Sequence, residues 1–193
     1  MTLIDVFLEL PFSGNASINN LHSCVAQVMI DGAKTVSNIL SKLGIRHSLV
    51  GGMAVSCNGY PRTTSKIDFA VGDCAFEYHD KLTSLRVGLP VKYMGVRVNY
   101  LVFSTALERS LLDQYLTVPI SGEVPVLPVG PLIVLKLLAN RLKDRSDIGE
   151  LLKRRSTDEI AAIVKFVADN LPSQSPLLAE LIVVADNERT YER

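Results

Sequence analysis

Gly51-Gly52-Met53-Ala54-Val55 … Tyr60-Pro61-Arg62-Thr63-Thr64-Ser65-Lys66-Ile67-Asp68 is the stretch on which the reading of this chain turns. The apolar run Ile45 to Val50 ahead of it reads as a buried strand, and the glycine pair as the turn that ends it. Ala54 to Asn58 follows as a short helix, stopped by Gly59 and Pro61, and Lys66 to Val71 as the next strand. Residues two apart on a strand share a face, so the spacing points Lys66 and Asp68 into one place. Glycine lets backbone amides come close to an anion at a helix start, which makes Gly51 and Gly52 candidate phosphate-binding residues; the same pair also serves as a plain strand-to-helix turn. Lys66 and Asp68 read equally as a same-face ion pair, and Arg62 and Thr64 as loop residues or phosphate contacts.

Upstream, apolar residues at Ile18, Leu21, Val25, Met29, Ala33, Val36, Leu40 and Leu43 keep a three-to-four spacing, which predicts one long helix with Gly44 as its stop. Downstream, Ala75 to Leu85 is expected to be helical. Val91-Lys92-Tyr93 and Val96 to Phe103 flank Met94-Gly95 as a tight hairpin, so the sheet is mixed. The remaining chain reads as helices: Ser104 capping a helix to Leu116, Pro131 opening Leu132 to Asp144, Ser156-Thr157-Asp158-Glu159 as a capping box for Ile160 to Asn170, and Pro176 to Asp186. The expected architecture is α/β (α+β), with a core over 1–127 and a helical region over 128–193 packed on it.

The chain has 193 residues, 48% of them hydrophobic, with 20 basic and 20 acidic side chains. That is enough to build a globular core, and the zero formal charge gives no overall pull toward nucleic acid. No apolar run reaches the roughly 18 residues a membrane span needs, and a cytoplasmic location is expected. Cys24, Cys57 and Cys74 lack metal or disulfide spacing and are expected to be buried, and His22, His47 and His79 are too scattered to form a metal site.

The glycine pair followed by Tyr60-Pro61-Arg62-Thr63-Thr64-Ser65-Lys66-Ile67-Asp68 resembles the signature of the polymerase-β type nucleotidyltransferase superfamily, and within it the minimal nucleotidyltransferase and abortive-infection toxin group. The family pattern is a hydrophobic-Gly-Gly-x-Ala segment and then Gly-x-Pro-Arg-x-Thr-x-Asp-x-Asp. A second stretch, Leu132 to Ile148 with Lys136 and the run Arg141-Leu142-Lys143-Asp144-Arg145-Ser146-Asp147, resembles the family's lysine-bearing helix. The resemblance implies a nucleotidyltransferase fold, with Gly51, Gly52, Arg62, Thr64 and Lys136 around a nucleotide and a metal-binding carboxylate triad. Here Lys66 stands at the first aspartate position and Asn99 at the third, so Asp68 alone is left as a catalytic acid and weak metal ligand. A lysine about 4 Å from a divalent ion is disfavoured by about 8 kcal/mol at an effective dielectric near 20. Lys136 sits on an apolar helix and needs an anionic partner, either a triphosphate or one of Asp144, Asp147 and Asp68.

Three functional readings follow from the resemblance. The first is a nucleotidyltransferase relative, weak or inactive, descended from enzymes that move a nucleoside monophosphate from a triphosphate to an acceptor. The second is a non-catalytic nucleotide-binding protein or protein-interaction scaffold. The third is the toxin of a defence or toxin-antitoxin system, which brings an antitoxin-like protein as partner. A nucleoside triphosphate is the implied ligand, and magnesium enters only with bound nucleotide; fold alone does not choose among the three.

Overall fold

Helix α1 (Gln27–Lys42) buries Met29, Ala33, Val36 and Leu40, the stripe its spacing predicts, and ends just before Gly44. The computed structural model describes residues 27–79, 82–103, 105–120 and 122–191, so the start predicted at Ile18, with His22 and Cys24, lies outside the described residues. Helix α1 covers one face of a four-stranded sheet. At Gly32 the helix lies close against the sheet, and a Cβ there would stand 2.7 Å from Ile67 and 2.8 Å from Tyr93.

The sheet runs in the order β1 (His47–Val50), β2 (Lys66–Val71), β6 (Val96–Leu101) and β5 (Lys92–Tyr93). Strand β1 is antiparallel to β2, β2 is parallel to β6, and β5 is antiparallel to β6, so the sheet is mixed. Alternation divides its residues between two faces. Leu49, Ile67, Phe69, Val71, Tyr93, Val96, Val98 and Tyr100 go to the face packed with α1. Lys66, Asp68, Lys92, Arg97 and Asn99 go to the other. Met94 and Gly95 both have positive φ, 45° and 86°, as a type I′ turn between β5 and β6 requires.

Helix α2 (Gly51–Cys57) begins at the glycines themselves, earlier than Ala54. Residues 76–79 and 82–85 are not helical, contrary to the expectation for Ala75 to Leu85. They form a separate two-stranded sheet, β3 (Phe76–His79) with β4 (Leu82–Leu85), in which Phe76 faces Leu85 and Tyr78 faces Thr83. Phe76 and Leu85 at its base pack on the core while Tyr78 and Leu82 stay exposed, too few inward residues for a helical stripe. Helix α3 (Ala106–Leu112) is capped by Thr105, whose hydroxyl and Glu108 form a reciprocal capping box; Ser104 lies outside the described residues. Cys57 is buried as expected, whereas Cys74 is exposed.

The chain divides into two compact units, with the sheet and α1 to α3 in residues 27–57 and 61–127. The other unit holds residues 58–60 and 128–191. It consists of α4 (Val129–Ala139), α5 (Leu142–Lys153), α6 (Thr157–Asn170) and α7 (Ser175–Tyr191). A continuous helix to Asp144 does not form, because Asn140 turns left-handed at φ 48° and caps α4, and Arg141 restarts the chain as α5. The Ser156–Glu159 capping box opens α6 as the sequence predicts. The protein is thus α/β, with a small mixed sheet and a helical C-terminal half. No helix among the described residues is long and apolar enough to cross a membrane.

Candidate functional site

Parallel pairing sets Asp68 directly opposite Asn99 and Lys66 opposite Arg97, so the three positions singled out in the sequence converge. Asn99 Nδ2 donates to Asp68 Oδ1 at 2.7 Å, and Lys66 Nζ lies 3.3 Å from the same oxygen. The Asp68 side chain is 7% exposed and that of Lys66 44%, so a nearly buried carboxylate carries a half-exposed ammonium. One acceptor atom therefore serves both neighbours.

The glycines are shaped to this carboxylate. Gly51 has φ 66°, and a Cβ there would overlap Asp68 Oδ2. A Cβ on Gly52 would stand 2.9 Å from Thr64 Cβ and Oγ1 and 3.5 Å from Arg62 Nη1. The absence of side chains at 51 and 52 is thus fully used by the protein's own Asp68 and Thr64. Ser56 on α2 ties the loop down: its Oγ accepts from Arg62 N–H at 3.2 Å and lies 3.1 Å from Arg62 O. Thr64 Oγ1 donates to Lys66 O at 3.2 Å, so Arg62 and Thr64 sit beside the glycine turn, half-buried.

The resemblance implies a divalent ion at this centre, and the donor set does not fit one. Magnesium takes several hard oxygen ligands, whereas Lys66 and Asn99 offer a cation and an amide whose nitrogen already faces Asp68. Among the described residues, no three His, Cys, Asp or Glu side chains group as metal ligands.

Lys136 belongs to the helical unit. Its ammonium is buried and pairs with Asp147 Oδ2 at 2.6 Å and Asp144 Oδ1 at 3.3 Å. Arg141 Nε adds a bond to Asp144 Oδ2 at 2.5 Å. Burial raises the Asp144 carboxyl, but Arg141 and Lys136 outweigh it and hold the group below its ordinary value. The structure therefore brings Lys66, Asp68, Asn99, Gly51, Gly52, Arg62 and Thr64 into one neighbourhood and gives Lys136 partners of its own. Motif spacing did not single out Arg97, whose place beside Lys66 depends on strand register.

Among solved structures, the chain is similar to an antigenic nucleotidyltransferase-like protein from Paracoccidioides brasiliensis, at 18% identity and a TM-score of 0.40, over 80% of this chain and 95% of that one. No family model matches the chain, and no curated protein matches it.

Proposed function

We propose that this chain is a nucleotidyltransferase-like protein with a non-catalytic centre, binding the phosphates of a nucleotide without a metal ion and without transferring them. The observation that carries the reading is the double occupation of Asp68 Oδ1 by Lys66 and Asn99. Lys66 supplies a single charge where related enzymes hold a divalent ion, on a side chain that is half-exposed beside the carboxylate. A single ammonium neutralises phosphate charge but does not clamp attacking and leaving oxygens as paired metal ions do.

Calorimetry with ATP in EDTA tests this. The expected result is binding by the parent protein that Lys66→Ala weakens, while Lys66→Asp combined with Asn99→Asp makes binding magnesium-dependent. Equal binding by parent and Lys66→Ala rejects the surrogate-cation role. A second reading, a scaffold that binds no nucleotide, draws support from the way Asp68 and Thr64 fill the space beside Gly51 and Gly52. No ATP binding by any of these variants would favour it.

A further inference from the structure

Register places three cations side by side across three strands. Lys66 on β2 faces Arg97 on β6, and Arg97 in turn faces Lys92 on β5, the edge of the sheet. Directly opposite residues share a face, so all three side chains leave the side away from α1, and the row spans about 10 Å at the usual strand spacing. Arg97 and Lys92 are exposed, and among the described residues the one ion pair on the row is that of Lys66 with Asp68. Like charges directly opposite one another destabilise a sheet. The segment around β5 and β6 adds no acid to offset them: between Asp80 and Glu108 stand Lys81, Arg86, Lys92 and Arg97 and no carboxylate, in a chain whose 20 basic and 20 acidic residues balance only as a whole.

We infer that the Lys66–Arg97–Lys92 row binds a linear chain of three or more phosphates, laid across the strands from the Asp68 centre to the sheet edge. Three cations in line match several linked phosphates better than one isolated phosphate. The row's face also argues against a nucleic-acid strand. Binding single strands without sequence preference combines cations with aromatic stacking platforms, yet Tyr93 and Tyr100 of these strands turn to the opposite, core face. The row shares Lys66 with the function proposed above but rests on Arg97 and Lys92, which that reading does not use.

The test is calorimetry in EDTA with tripolyphosphate, orthophosphate, ATP and a single-stranded oligoribonucleotide. Tripolyphosphate is expected to bind at least about 10-fold more tightly than orthophosphate, and Arg97→Gln and Lys92→Gln each to lower the slope of log K against log salt by about one. Both substitutions are on exposed side chains, and removing a like-charge neighbour should leave the melting temperature without ligand equal or higher. ATP binding no better than tripolyphosphate identifies a base-free phosphate chain as the ligand, and tighter ATP binding identifies a nucleoside triphosphate tail. Unchanged tripolyphosphate binding in both Gln variants overturns the row, as does an oligoribonucleotide that outcompetes tripolyphosphate. Loss of ATP binding in Lys66→Ala alone, with both Gln variants unaffected, removes the row and leaves the proposed function standing. The reverse pattern removes the Lys66 reading and keeps the two outer cations.

Discussion

Asn99 and Asp68 stand opposite one another on parallel strands, and the Asn99 amide donates to the Asp68 carboxylate at 2.7 Å. An aspartate at position 99 would replace that donor with a second negative charge at bonding distance. A buried carboxylate left facing a like charge loses its hydrogen bond and gains repulsion, so Asn99→Asp should cost about 1–3 kcal/mol in EDTA. Thermal unfolding checks this. Magnesium should leave the melting temperatures of the parent and of Asn99→Asp unmoved, because Lys66 still holds the centre, and should stabilise only Lys66→Asp combined with Asn99→Asp, since a ligand that binds only the folded state stabilises it. A parent protein stabilised by magnesium would contradict the assignment of Asp68 to Lys66 and Asn99.

The glycine pair makes a second prediction. Gly52→Ala brings a Cβ to 2.9 Å from Thr64, and overpacking of this kind costs about 1–3 kcal/mol. Gly51→Ala should be worse, because it adds a strained left-handed φ to an overlap with Asp68. Chemical denaturation of Gly52→Ala, Thr64→Gly and the double variant should show coupling, with the double less destabilised than the sum of the singles. Additive losses would mean that Thr64 is not what the glycine accommodates.

Local chemistry made much of this fold legible in the sequence. The α1 stripe, the Met94-Gly95 turn, the Ser156 capping box and the same-face pairing of Lys66 with Asp68 all depend on residues a few positions apart. Tyr78, Leu82 and Leu85 keep a helical spacing in the sequence, and only the pairing of Phe76 with Leu85 across β3 and β4 makes them strand residues. The Lys66–Arg97–Lys92 row was hidden for a related reason, since cross-strand register is set by partners up to a hairpin and a crossover away. The glycine pair reads in sequence as a turn or as an approach to phosphate, and neither reading names a protein side chain. That Asp68 and Thr64, both inside its own motif, make the approach depended on the three-dimensional turn.

Lys136 holds two buried carboxylates together, so its removal should be severe. Lys136→Met leaves Asp144 and Asp147 facing each other without their shared cation, and breaking a buried pair in this way costs about 3–5 kcal/mol. Adding Asp144→Asn and Asp147→Asn should recover much of that loss. The pH dependence has a definite sign. The folded value for Asp144 lies below its ordinary one, so its contribution is present above the ordinary carboxylate range and is lost as pH falls through the lowered folded value. Lys136→Met should weaken this acid-side loss, as measured by urea denaturation at a series of pH values. An unchanged acid limb would show that Lys136 does not stabilise the Asp144 charge.

His47 should govern stability at milder pH. Its Nε2 lies 2.7 Å from Ser37 Oγ and its Nδ1 2.8 Å from Ile45 O, while Ser37 Oγ is also 3.0 Å from Glu123 O. The Phe69 ring meets the imidazole edge to face, with centroids 5.5 Å apart. Burial disfavours the charged imidazole and outweighs the Ile45 carbonyl, which favours it, so the folded value is lowered from 6.5. The unfolded chain therefore takes up this proton first on acidification. Stability should fall as pH drops below about 6.5, at no more than about 1.4 kcal/mol per pH unit, and this loss should end below the folded value. His47→Gln removes the titration and should flatten that limb between about pH 7 and pH 5 while leaving the more acidic Asp144 limb in place. Parallel stability curves for His47→Gln and the parent over that window would show that His47 is not the group responsible.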